Sequence, residues 1–513
     1  MMHLAAFVRN WLLPASALAL VMASSGSSMG QTGWFTTDDF QLVPGKTANA
    51  EDMGTDSSGN ILAVGTGSDG VKTHGIVRRS TDGGNTWSII HSAPDFYPRA
   101  VGNDSSGNLF VLGNIAPGLE TSRWGVMRRA DSGSSWFTVD DFQYVAGKNS
   151  WPDSFGKDSL GNLYAAGLGN DASGTGGQAQ HWIVRRSQDG GTTWATVDDF
   201  KPFDWRAEAH AIANNSSAVF VAGLADKGSG QNRGNHWIVR KSADGGCTWI
   251  TVDDFQLSAN KSANARALAA DSLGNLYAAG WAFEKGQNRN WIVRKMANFG
   301  GTWSTVDRFQ YLGKNSSQPA TLGIDGSGKI YTAGYGSDNT GLYHWLTRRS
   351  LDGGSTWALV DDFQHTPGQN SKADGGFASD PSGNIFIGGG GTDSSGKSRW
   401  IVRKLPAALA FARSVEAPFL RGDANVDGAV DISDASYTLE YLFLGTSTLG
   451  CLAAANANGD GDIDISDPIG ILEYLFIGGP APVAPYPKCG PGTLLVDEEL
   501  GWVGCMTPPK TCP

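Results

Sequence analysis

The 513-residue chain is short of charge, histidine and cysteine, and has few long apolar runs. Charged residues make up 17% and the eight histidines are scattered, so no His-rich metal cluster is encoded. Neither a Walker-type phosphate loop nor a Ser/His/Asp order is present. Past the N-terminal region, no apolar stretch approaches the length of a membrane-crossing helix. The formal net charge of −11 argues against nucleic acid as a partner. The 70 glycines are about twice the usual share, yet no Gly-X-Y period runs through them, which excludes collagen. High glycine beside 18 tryptophans and 22 phenylalanines points instead to many short strands, tight turns and a sizeable core.

The N-terminus reads as an export signal over 1–23. His3 and Arg9 precede the apolar run Trp11–Ala23, and Val21-Met22-Ala23 offers small residues for cleavage near Ala23. That run is too short for a stable anchor. The expectation is a secreted protein, extracellular or at the cell surface, with no membrane span after removal of the signal. Of five cysteines, Cys451, Cys489, Cys505 and Cys512 lie near the C-terminus, three of them in a Pro/Gly-rich tail. In an oxidising compartment they predict two disulfides, with three connectivities open. Cys247 fills a variable turn position and reads as an incidental thiol.

The dominant signal is an internal repeat. WFTTDDF (34–40), WFTVDDF (136–142), WATVDDF (194–200), WITVDDF (249–255), WSTVDRF (303–309) and WALVDDF (357–363) recur, with a degenerate copy from Trp87. The leading tryptophans are 53, 49, 58, 55, 54 and 54 residues apart. Each unit adds an Asp-Ser-x-Gly-Asn turn entering an apolar run (from Asp56, Asp158, Asp271 and Asp380). It also has an aromatic-aliphatic-basic strand (from Trp182, Trp237, Trp291, Trp345 and Trp400). One unit therefore reads as four short antiparallel strands, and seven units over 34–404 fit an all-β seven-bladed β-propeller. The last unit lacks an outer strand and the first WFTTDDF lacks a preceding one, so the N-terminal strand is predicted to close the ring.

Between the third and fourth strands lies STDGGNTW (80–87), repeated as SQDGGTTW (187–194), SADGGCTW (242–249) and SLDGGSTW (350–357). Asp82, Asp189, Asp244 and Asp352 can each accept backbone N–H bonds within their own turn. The pattern Ser-x-Asp-x-Gly-x-Thr-Trp resembles the Asp-box (BNR) repeat of sialidase-like propellers. Sialidases, xyloglucan-degrading endoglucanases, sortilin-type receptors and a photosystem assembly factor share it. The resemblance implies fold rather than activity, with the Asp-box structural and away from the functional face.

A residue present in every unit serves what all units share, whereas a functional group breaks the repeat. By that rule the recurrent arginines (Arg78 and Arg79, Arg128 and Arg129, Arg185 and Arg186, Arg348 and Arg349) are structural, serving packing or pairing with the nearby Asp-Asp of VDDF. The pre-Trp histidines His181, His236 and His344 are read as structural too. The repeat breaks in the blade-to-blade loops and second-to-third-strand loops, which share the face opposite the Asp-box turns. DWRAEAH (204–210) supplies Asp204, Trp205, Arg206, Glu208 and His210; WAFEKGQNRN (281–290) supplies Trp281, Glu284, Lys285 and Arg289. Glu51, Asp52, Trp151 and Asp153 hold comparable positions elsewhere. The ligand-binding candidates are Trp205, Arg206, Glu208, His210, Trp281 and Glu284, aromatic rings beside carboxylates that suit carbohydrate. No catalytic residue is assigned. A paired-carboxylate glycosidase is the alternative.

The acidity sits in one place: 421–478 holds ten carboxylates and one base, Arg421. DANVDGAVDISD (423–434) sets Asp423, Asn425, Asp427, the Ala429 carbonyl, Asp431 and Asp434 at the oxygen-donating positions of a Ca²⁺ loop, with Gly428 at the sharp turn. NANGDGDIDISD (456–467) repeats it with Asn456, Asn458, Asp460, the Asp462 carbonyl, Asp464 and Asp467. An apolar helix with LEYLF follows each loop. The duplicated loop-helix unit resembles a type I dockerin, which implies Ca²⁺ and a cohesin-like protein partner. It departs from a full EF-hand in having Asp at position 12 and, in the second loop, Asn at position 1. A linker (405–420) joins the propeller to it and a Pro/Cys-rich tail (479–513) follows. Taken together, the sequence predicts a secreted, non-catalytic propeller that binds carbohydrate or protein and carries a Ca²⁺-dependent attachment module; the rival is a sialidase-like glycoside hydrolase.

Overall fold

In the computed structural model the described residues are 33–115, 121–130, 133–173, 180–202, 205–227, 234–286, 288–297, 301–313, 315–407, 419–444, 449, 451–460 and 463–490. The segment 1–23 read as an export signal, Asp204, Gly461, Asp462, Cys505, Cys512 and most of the linker and tail lie outside them. Seven antiparallel sheets follow one another in chain order, each of four strands, the innermost strand of the last being split in two. Blade 1 comprises Ala48–Thr55, Ile61–Ser68, Thr73–Ser80 and Ser88–Pro94; blades 2 to 6 repeat that order up to Phe363. Blade 7 takes Ser371–Lys372 with Phe377–Ser379, then Ile385–Thr392 and Ser398–Leu405 from the end of the repeat region. Its fourth strand is the N-terminal Phe35–Phe40, with Phe40 opposite Trp400 and Phe35 opposite Lys404. The ring closes as expected. Within the described residues no helix is long and apolar enough to cross a membrane.

The repeated residues make the seams between blades. Trp124, Trp182, Trp237, Trp291, Trp345 and Trp400 are fully buried. Each meets the outer-strand phenylalanine of its own blade edge-on, ring centroids 5.9–6.2 Å apart. Trp124, Trp182, Trp237, Trp345 and Trp400 also reach into the next blade, whose second strand must have glycine there. A Cβ on Gly223 would stand 2.0 Å from the Glu208 carbonyl oxygen and 2.8 Å from Trp182 Cζ3. This accounts for the invariant glycine after each LYAA-like run.

The recurrent arginines are seam residues too. Arg185 holds Asp140 of the preceding blade through Nε and Nη2, both at 2.9 Å. Arg78–Asp38, Arg240–Asp198, Arg294–Asp253, Arg348–Asp307 and Arg403–Asp361 repeat the clamp at 2.6–2.9 Å. Each guanidinium also lies 4.0–4.2 Å over a phenylalanine ring of that preceding blade. Burial raises the carboxyls, Asp38 to about 6, against the pull of Arg78.

The blade 1/2 seam is built differently, and that explains the degenerate copy at Trp87. Met127 stands where the clamp arginine would be and His91 where its aspartate would be. Both charges are absent together, because one alone would be left buried without a partner. His91 instead stacks on Trp136, ring centroids 5.3 Å apart. Gly75 replaces the buried tryptophan, and Phe96 of blade 2 fills the vacated space. Only Asp95 links blades 1 and 2, whereas six or seven residues link the others.

The Asp-box-like turns form the opposite face. Asp82 accepts from the Thr86 amide at 2.9 Å and its hydroxyl at 2.6 Å, which holds its carboxyl down to about 2. Asp189, Asp244 and Asp352 do the same with Thr193, Thr248 and Thr356. The histidines His181, His236 and His344 each bond the second aspartate of the outer strand, Asp199, Asp254 and Asp362, at 2.5–2.7 Å. They tie down the rim of the loop face.

C-terminal to the propeller, the helices Ile432–Leu439 and Ser466–Ile477 pack together around Ala435, Ala457 and Ile471. Cys451 and Cys489 are both disulfide-bonded, whereas Cys247 is free and exposed.

Candidate functional site

Every innermost strand is broken at the same height, in six blades by a β-bulge. The register slips after Ala50, Pro98, Pro152, Ala209, Ala265 and Pro319, and in blade 7 the strand is interrupted after Lys372. A bulge adds one residue that cannot join the ladder and turns it away from the sheet. The added residues are Glu51, Arg99, Asp153, His210, Arg266, Ala320 and Asp374. All but Ala320 carry an ionisable group, and all seven line one axial cavity of about 330 Å³.

The ring is organised by charge. Arg99 Nη1 binds Glu51 at 3.0 Å. His210 Nδ1 binds Asp153 at 2.9 Å, and its Nε2 lies 3.4 Å from Glu208, which Arg206 Nε approaches to 3.4 Å. Asp52, just inside the ring, accepts from the Val101 amide at 2.9 Å; burial and the neighbouring Glu51 raise its carboxyl to about 7. Asp374 is open to water in the channel but enclosed by protein, and that enclosure, then the charge of Glu51, raises it to about 7. Asp153 is held below the usual carboxylate range in spite of its burial, by His210 first and then by Arg99 and Arg266. Carboxyl groups pushed in opposite directions thus share one cavity.

Two further cavities open from this ring on the loop face. One, of about 540 Å³, runs over blades 4 to 6 between Arg206, Glu208, Asn264, Trp281, Arg289 and Gln318. The other, of about 490 Å³, runs over blades 6, 7 and 1 past Tyr343, Asn370, Lys372, Thr392 and Ser398. Arg266 borders all three.

Of the six binding candidates, Arg206, Glu208 and Trp281 line the lateral cavity and His210 lines the axial one. Trp281 does not present a bare ring: the Arg289 guanidinium sits 4.6 Å over it. Glu284 faces away and pairs with Arg308 of the outer strand. Trp205 borders none of these cavities. Arg99, Arg266 and Asp374 escaped sequence reading. Their signal was one variable, usually charged residue after a recurrent Ala or Pro: Ala50-Glu51, Pro98-Arg99, Pro152-Asp153, Ala209-His210, Ala265-Arg266, Pro319-Ala320 and Ala373-Asp374.

In the acidic module, Asp423, Asp434, Asn456 and Asp467 are buried. The loops fold alike: the amides of Asn425 and Asp431 bond Asp434, and those of Asn458 and Asp464 bond Asp467, at 2.8–3.3 Å. Burial, with nearby Asp423 and Asp427, raises Asp434 to about 6; burial and Asp460 do the same to Asp467. Asp431 and Asp464 accept from the amides of Ser433 and Ser466 at the helix starts, both at 2.7 Å. The Ala429 amide bonds Asp427 at 3.0 Å. Among the described residues no three His, Cys, Asp or Glu side chains converge as a metal cage.

No protein-family model matches the chain, and no curated protein matches it. Among solved structures it is similar to the Hadza microbial sialidase Hz136, at 16% identity over 56% of this chain and 63% of that one, TM-score 0.38. The chain thus spans less than two thirds of that sialidase. It is also similar to YCF48 bound to D1 peptide, at 14% identity over 73% and 97% of the two chains, TM-score 0.43. A third is Penicillium chrysogenum α-L-arabinanase complexed with arabinobiose, at 13% identity over 62% and 94%, TM-score 0.42. Such likeness concerns the fold alone.

Proposed function

We propose that the loop face of the propeller binds a polyhydroxylated ligand, carbohydrate in the first place, and that the acidic C-terminal module attaches the protein to a cohesin-like partner in a Ca²⁺-dependent way. The observation that carries the first part is the ring. Six units place an ionisable side chain, of differing kinds, at one bulge where the fold demands none, and all of them face a cavity. A structural role would be met by the same residue in every blade; a binding role is served by different ones. On arrayed glycans the full-length protein is expected to bind without turnover, and replacing Asp153 with alanine should weaken binding at least about tenfold by leaving His210 Nδ1 without its carboxylate. An array with no binder removes the reading.

One observation favours hydrolysis as the second reading: Asp52 and Asp374 stay protonated in mildly acidic water while Asp153 stays ionised, the division of labour of a glycosidase acid and its partner. Release of reducing ends that Asp374→Asn abolishes would favour it over binding alone.

The donor set of the module fits Ca²⁺. Buried Asp434 and Asp467, raised by burial and by neighbouring carboxylates, are what a divalent cation neutralises, and Asn425, Asn458 and backbone carbonyls complete a hard-oxygen set. Asp423, Asn425, Asp427, Asp431 and Asp434 would hold one ion, and Asn456, Asn458, Asp460, Asp464 and Asp467 a second. Exchange of Ca²⁺ for chelator is expected to make 421–478 of the full-length protein sensitive to protease while the propeller resists. A cleavage pattern indifferent to chelator would reject the metal.

A further inference from the structure

Every clamp arginine in the propeller is paired, and Arg99, Arg206 and Arg289 have partners at the site. Arg266 does not. It sits on the blade 5 bulge, its side chain is exposed within the channel, and among the described residues it makes no hydrogen bond or ion pair. It also stands where the axial cavity and both side cavities meet. A weakly hydrated, five-donor fork held open at such a junction matches a planar or tetrahedral anion.

A second group points the same way. Asn264, two residues earlier on the strand, is 5% exposed and its Oδ1 has no donor. It lines the lateral cavity, where a small turn of its side chain would let a ligand's hydroxyl or amide hydrogen satisfy that oxygen. Asp374, the ring carboxylate with no cation within ion-pair distance, offers another acceptor for a hydroxyl. The other carboxylates that would repel an anion are engaged: Glu51 by Arg99, Asp153 by His210, and Glu208 by Arg206 and His210.

From this geometry we infer that the two side cavities, joined at Arg266, hold an internal stretch of an anionic polysaccharide whose carboxylate or sulfate group sits on Arg266. This rests on the binding role proposed for the face and names its ligand class. The cavities lead away from Arg266 in two directions, one past Trp281 and one past Tyr343, so a chain can pass through rather than end there.

The test measures binding of polygalacturonate, a sulfated galactan, neutral xyloglucan and poly-glutamate to the full-length protein by calorimetry. Either acidic polysaccharide should bind, the one that does identifying the acid group, and affinity should grow from disaccharide to hexasaccharide. Arg266→Ala should weaken binding at least about tenfold, and Arg266→Lys should restore part of it. Because Arg266 is exposed and unpaired, the variant keeps its fold, which an unchanged melting temperature checks. Binding of neutral xyloglucan that Arg266→Ala leaves untouched would overturn the anionic ligand but keep the binding face. Equal binding of poly-glutamate, or affinity that stops growing at the disaccharide, would likewise overturn it. If no polysaccharide binds, the proposed function falls as well.

Discussion

Replacing Arg240 with alanine is expected to destabilise the propeller by about 3–5 kcal/mol. The Arg240 and Asp198 side chains are only 10% and 7% exposed, and two hydrogen bonds of 2.7 and 2.8 Å join them across the seam between blades 3 and 4. Removing the guanidinium leaves the Asp198 carboxylate buried, with burial already raising its pKa, and takes away the cation over Phe200. The blade 1/2 seam indicates how the loss can be repaired. Arg240→Met combined with Asp198→His copies Met127 and His91 and lets the new imidazole stack on Trp249, as His91 does on Trp136. The double variant should therefore be more stable than Arg240→Ala alone, with a coupling of about 1–3 kcal/mol between the two sites. Denaturant melts of the wild type, Arg240→Ala, Arg240→Met, Asp198→His and the double variant measure this. Strictly additive effects, or a loss below about 1 kcal/mol for Arg240→Ala, would mean the clamps do not hold the seams.

Removing residues 34–40 is expected to be costlier still, about 6 kcal/mol or more, because several independent losses fall together. Trp34, 2% exposed, leaves the core; Arg78 loses Asp38; and Trp400 loses the Phe40 ring against it. The strand Ser398–Leu405 becomes a free edge that can pair with another chain. A much lower melting temperature together with concentration-dependent association is the expected outcome. Adding a peptide of residues 33–42 should restore the monomer and much of the stability. A truncated protein that melts like the intact one would show that the N-terminal strand merely decorates blade 7.

Much of the architecture was legible because repetition exposes it. The spacing of the VDDF tryptophans gives the number of units, and the unmatched strand at each end gives the closure. The structure has both. The structural reading of Arg78, Arg185 and Arg348 followed from the same logic, since a residue needed in every blade serves the contact between blades. What repetition hid was the meaning of its exceptions. The copy at Trp87 looked merely worn, but His91, Met127, Gly75 and Phe96 are coordinated replacements across one seam.

The candidate site was half legible for a related reason. Arg206, Glu208, His210 and Trp281 stood out because their loops break the pattern, and they border the cavities. Glu284 stood out equally, but it lies just past the strand Leu276–Phe283, at the rim beside Arg308. Arg99, Arg266 and Asp374 lie inside regular-looking strands, where a charged residue between small ones reads as the polar half of an alternation. The slip in register that turns them inward depends on how each inner strand pairs with its neighbour.

Local periodicity and turn chemistry thus determined the count of blades, their four-strand build and the closing strand, because each depends on contacts that recur identically in every unit. Which side chains share the channel was decided by the closed ring alone. Residues about 50 apart in sequence come together at one height only when six bulges and the break in blade 7 are wound about a common axis, and no stretch of the chain carries that geometry by itself.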